Sequence, residues 1–95
     1  MMPNNPFNQM IVKIISEQEN VIGPLAVEQA QKVNGLNVDW GNKEVTFSGD
    51  VKIITENLIK QYEKIFGQAS IQICKEVASS FLDKLSKNEI PTILQ

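Results

Sequence analysis

The chain contains no histidine and no arginine, and it has one cysteine, Cys74. Without histidine it lacks the commonest general base and the commonest imidazole ligand for a metal. Without arginine it lacks the planar fork that reads phosphates and guanine edges bidentately. All nine basic residues are lysines and the net charge is −2, so nucleic-acid binding is disfavoured. A lone cysteine closes no intramolecular disulfide, which agrees with a reducing compartment. No apolar run approaches the roughly 18 residues of a membrane span, and the start, MMPNNPFNQM, has no basic segment of a secretion signal. The expectation is a cytoplasmic protein that does not engage a membrane.

A hydrophobic fraction of 42% with 21% charged residues is ordinary for a folded chain and argues against wholesale disorder. At 95 residues the expectation is a single domain over 1–95. Residues 1–5 read as a flexible polar tail, and 87–95 as an apolar C-terminal tail whose Ile90, Ile93 and Leu94 seek a surface.

The clearest signal is Leu36 to Ser48, LNVDWGNKEVTFS. Leu36, Val38 and Trp40 alternate with polar residues on one arm, and Val45 and Phe47 do so on the other, the period of a half-buried strand. Gly41-Asn42 between them suits a two-residue type II′ turn, with φ > 0 at the glycine. That turn sets Trp40 opposite Lys43, Val38 opposite Val45 and Leu36 opposite Phe47, all on one face. On the other face Asp39 meets Glu44, a repulsive pair unless a neighbour relieves it.

The flanking segments read as helices. Phe7, Met10, Ile11, Ile14 and Ile15 follow the helical spacing, with Asn5 as cap and Pro6 at the first position. The β-branched run Met10 to Ile15 offers a strand as the competing reading. Gly23-Pro24 is a break, after which Leu25, Ala26, Ala30 and Val33 line a second helix stopped by Asn34-Gly35. A third helix is expected from Val51 to Phe66, with Val51, Ile54, Leu58, Tyr62 and Ile65 buried and Ile53 and Ile59 widening the stripe. Asp50 precedes it as a cap, Glu56 and Lys60 are an i, i+4 pair, and Gly67 closes it. A fourth helix is expected over Ser70 to Ser86, carrying Ile71, Cys74, Val77, Ala78, Phe81, Leu82 and Leu85, with a short strand at Ser70 to Cys74 as the alternative.

Chemistry is sparse. Cys74 lies on an apolar stripe without a histidine partner and reads as a buried structural thiol. Asp39 and Glu44 have no third oxygen ligand spaced to complete a calcium loop. The five glycines, at 23, 35, 41, 49 and 67, stand at breaks between elements and form no phosphate-binding cluster. No catalytic residue, cofactor or metal is expected, and Tyr62 reads as a core or boundary residue.

Two resemblances bear on the fold. The run Val33 to Asp50, VNGLNVDWGNKEVTFSGD, is similar to the centre of heavy-metal-associated domains, where a helix leads through a Gly turn into a hairpin and a second helix. That resemblance implies a ferredoxin-like βαββαβ sheet, here followed by a C-terminal helix. The paired cysteines with which those domains bind metal have no counterpart in Glu17 to Leu25, so no metal site is implied. The chain also resembles winged helix-turn-helix proteins in combining helices with a hairpin. Those place a basic recognition helix before the wing, whereas Lys32 stands here beside Glu28 and Gln29.

The expected fold is therefore α+β, a small two-layer ααββαα domain, with the ferredoxin-like arrangement as the alternative. The expected function is a non-catalytic protein–protein interaction or adaptor module, homodimeric through its hairpin. Leu36, Val38, Trp40, Val45 and Phe47, together with Ile90, Ile93 and Leu94, are the candidate interaction residues. A small-ligand or lipid carrier with a pocket between helices and sheet is the alternative from another class, and a DNA-associated regulator the third.

Overall fold

The computed structural model describes residues 6–81. Its elements run α1 (Pro6–Ile22), α2 (Leu25–Gln31), β1 (Leu36–Asp39), β2 (Glu44–Phe47), α3 (Val51–Phe66) and α4 (Gln68–Ser79). The strands form one two-stranded antiparallel sheet. This is the helix-helix-hairpin-helix-helix order expected from the sequence.

Helix α1 is the centre of the packing, in contact with α2, α4 and β2, while α3 packs on α2 and α4. The segment Met10 to Ile15 is helix and not strand. Period two would set Met10, Val12 and Ile14 on one face and turn Ile11 and Ile15 away. The helix instead buries Phe7, Met10, Ile11, Ile14 and Ile15 together. With helices at both this segment and Ser70 to Cys74, the ferredoxin-like alternative does not apply. α1 also continues through the polar run SEQEN to Ile22, where Gly23, at φ +73°, donates its N–H to the Glu19 carbonyl at 2.8 Å.

α2 is short and presents Ala26, Gln29 and Ala30 inward, with Val33 buried just beyond its end. Its two small residues let neighbours approach closely, and Tyr62 Oη donates to the Ala26 carbonyl at 2.7 Å. Leu25, expected inside, is exposed because it starts the helix on the outer side of Ala26.

α3 has the expected bounds but a narrower apolar face. Ile54, Leu58, Ile59 and Tyr62 are buried, joined by Thr55, whereas Val51 and Ile65 at the two ends are partly in water. Ile53 is 55% exposed, since five residues before Leu58 it lies about 140° around the helix from the buried side. Lys13–Glu17, at 3.1 Å, is the ion pair among the described residues; Glu56 and Lys60 do not close theirs. The Asp50 carboxylate accepts from the amides of Lys52 (2.9 Å) and Ile53 (3.2 Å), capping α3. Asp50→Ala should therefore cost about 1 kcal/mol in urea denaturation, and Asp50→Asn far less.

α4 begins two residues before its expected start and buries Ile71, Cys74, Val77 and Ala78, with Phe81 half-buried after it. The tails 1–5 and 87–95, the cap Asn5, and Leu82 and Leu85 lie outside the described residues. A buried polar cluster joins three helices. Gln18 Nε2 donates to the Ser70 carbonyl at 3.1 Å and reaches Cys74 Sγ at 3.6 Å. Ser70 Oγ sits 3.2 Å from the Tyr62 carbonyl and 3.4 Å from Gln18 Oε1. These bonds satisfy groups that would otherwise cost several kcal/mol, roughly, to bury.

Candidate association surface

The hairpin pairs Leu36 with Phe47, Asn37 with Thr46, Val38 with Val45 and Asp39 with Glu44, the register the alternation predicts. Its turn differs from the expected one. The strands stop at Asp39 and Glu44, and the four residues between them form the loop, beginning with a 3₁₀ turn over Trp40–Asn42. The left-handed conformation falls on Lys43 (φ 54°), whose N–H donates to the Trp40 carbonyl at 3.2 Å; Gly41 is not in that region. A two-residue and a four-residue loop leave the same residues opposite one another, so the strand pattern is indifferent to the choice. Side chains settle it. Asn42 Nδ2 donates to Asp39 Oδ2 at 2.8 Å, and Lys43 Nζ stands 3.8 Å from the centre of the Trp40 ring. The first bond also disperses charge from the Asp39–Glu44 pair, and the second offsets the cost of a left-handed lysine.

The apolar face of the hairpin is turned into the protein. Leu36 and Val45 are core residues, and Val38 and Phe47 are half-buried against the same cluster. The Phe47 ring lies 5.7 Å from that of Phe7 at 57°, a favourable tilted contact. Trp40, beside the turn, is half-buried against the core, and its Nε1 is buried with no hydrogen-bond partner among the described residues. These five side chains thus meet in one place. Ile90, Ile93 and Leu94 lie outside the described residues.

What the hairpin offers outward is polar. Asn37, Asp39, Glu44 and Thr46, with Gln31 and the strand positions Leu36 and Val38, line a cleft of about 470 Å³. A second cleft, of about 390 Å³, lies between α1, the hairpin loop and the end of α4, lined by Gln9, Val12, Lys13, Ser16, Lys43 and Phe81.

The two edges of the sheet are not equivalent. Ser48 N–H donates to the Gly35 carbonyl at 2.7 Å, so by the antiparallel alternation the backbone groups of residues 37, 39, 44 and 46 face the partner strand. Those of 36, 38, 45 and 47 point outward. On β2 the outward carbonyl of Val45 accepts from buried Asn8 Nδ2 at 2.9 Å, and α1 packs against that strand. On β1 the Leu36 N–H is held by the Val33 carbonyl at 3.2 Å, but the N–H and C=O of Val38 have no partner among the described residues. Sequence reasoning missed Asn8, because a single polar residue beside Phe7 carries no periodic signal. It also missed Gln18, although Gln18 continues the spacing of Ile11, Ile14 and Ile15 and a polar residue on such a stripe is a detectable sign of a buried bond.

Burial pushes the Cys74 thiol from an ordinary 9 up to about 11, partly opposed by the Gln18 hydrogen bond. Tyr62 is raised strongly, by burial first and then by Cys74 and Glu19. A thiol held protonated is a poor nucleophile at neutral pH. Among the described residues no three acids or cysteines gather to hold a metal, and no helix is long and apolar enough to cross a membrane. Over the described residues the fold is an α+β arrangement of four helices and a two-stranded hairpin. No protein family matches it, and no curated protein or solved structure is significantly similar to it.

Proposed function

We propose that this chain is a small non-catalytic interaction module that associates with a second copy through its hairpin and in that form serves as an adaptor for another protein. The observation that supports the reading is the unsealed edge of β1, whose Val38 N–H and C=O have no partner among the described residues. A two-stranded sheet is marginal by itself, and free edges are usually covered, charged or extended by another strand. Here α1 packs on β2 and α2 on β1, and the Val38 groups of β1 are left without a partner among the described residues, so extension by a copy through β1 is the economical solution. The reading assigns the protein to the cytoplasm, where its lone buried thiol stays reduced. Sedimentation equilibrium of the full chain at micromolar concentration should return a dimer. A monomer across that range would exclude self-association as the working state.

A further inference from the structure

We infer that β1 pairs antiparallel with β1 of a second copy in one register, with Val38 opposite Val38 of the copy on a two-fold axis. The inference rests on the self-association reading above and adds the strand, the register and the residues that meet. In an antiparallel hydrogen-bonded pair each residue gives one N–H and accepts one. The two outward groups of Val38 therefore complement those of an identical residue, as a two-fold interface requires. Both groups are satisfied at once, and the result is a four-stranded sheet in the order β2-β1-β1-β2.

Neighbouring registers do worse. Centring the axis on Asn37 sets Val38 opposite Leu36 of the copy, and the Leu36 N–H is already bound to the Val33 carbonyl, leaving the Val38 carbonyl without a donor. Centring it on Asp39 sets one carboxylate against the other, an unfavourable pair. Centring it on Val38 instead sets Asn37 opposite Asp39 of the copy, twice by symmetry. Both side chains are exposed on the cleft face of the hairpin, and Asp39 spends only Oδ2 on Asn42, so its other oxygen can accept from the Asn37 amide. On the inner face Val38 meets Val38 and extends the apolar layer.

The test combines cross-linking and proline substitution in the full chain. Residues 37 and 39 of the two copies form non-hydrogen-bonded pairs in this register, with Cα atoms about 4.5 Å apart, a separation a disulfide spans. Asn37→Cys combined with Asp39→Cys should oxidise to a covalent dimer, while either alone should not; Cys74 is buried and the wild type serves as its control. Val38→Pro removes only an outward N–H, which an edge strand tolerates, and should weaken dimerisation by about tenfold or more. A dimer that cross-links through Asn37→Cys alone overturns this register. A wild-type dimer that ignores both substitution sets overturns edge pairing while leaving self-association standing, and a wild-type monomer overturns both. If circular dichroism shows that Val38→Pro unfolds, the cross-linking result decides.

Discussion

Gly35→Ala should destabilise the domain by about 2–4 kcal/mol, seen as a lower urea midpoint with an unchanged slope. Two costs combine. The backbone at Gly35 is left-handed, with φ +85°, and a side chain there costs about 1–2 kcal/mol. The added Cβ would also lie 2.7 Å from Ile54 Cδ1 and 2.8 Å from the Ser48 carbonyl oxygen. The methyl of Ile54 can turn aside, but the carbonyl cannot, because the neighbouring Ser48 N–H is bonded to Gly35 itself and holds the base of the hairpin closed. Gly23→Ala separates the two costs. Gly23 has a similar φ of +73° with nothing within 4 Å of an added Cβ, so that variant should lose only the conformational part. Equal losses in the two variants would mean that the hairpin base yields without cost.

Alkaline solution should unfold the protein through its buried proton donors. Cys74 ionises near 9 in the unfolded chain and near 11 in the fold, because burial disfavours the thiolate. Below pH 9 both states hold the proton and stability is unaffected. Between 9 and 11 the unfolded state loses it and the native state keeps it, so stability falls as pH rises, by about 2 kcal/mol in all. Above pH 10 the raised Tyr62 hydroxyl adds to the fall in the same direction, since its neutral form is buried and bonded to the Ala26 carbonyl. Urea midpoints measured from pH 8 to 11 should therefore decline. Cys74→Ala should lower the whole curve through its small cavity but flatten the stretch from 9 to 11. The chain has one tyrosine, so its ultraviolet tyrosinate band should appear together with unfolding and not before it. Ionisation of Tyr62 in a folded protein at pH 10 would contradict the burial argument.

The positions of the helices were legible because the apolar spacing is local. Phe7 to Ile15 could satisfy one face only as a helix, and the bounds of α3 follow from Asp50 before it and Gly67 after it. Which residues of each helix reach the interior was less legible. Ile53, Val51, Ile65 and Leu25 stand partly in water, while Thr55, Asn8, Gln18 and Ser70 are buried. Burial depends on which neighbour arrives: Asn8, Gln18 and Ser70 go inside where another element supplies a hydrogen bond, whereas the Thr55 hydroxyl is buried without one among the described residues. Gln18 finds the Ser70 carbonyl 52 residues away, a pairing invisible to any local pattern.

The hairpin divides along the same line. Its register is a property of the chain alone, because a slip of one residue would carry Leu36, Val38, Val45 and Phe47 from the core to water. Its loop was decided by the Asn42–Asp39 and Lys43–Trp40 contacts, since both turn lengths keep that register. The asymmetry of its edges belongs to the tertiary structure only. Strand sequence makes every edge residue alike in its backbone, and it is the packing of α1 on β2 that brings Asn8 to the Val45 carbonyl and leaves Val38 without a partner among the described residues.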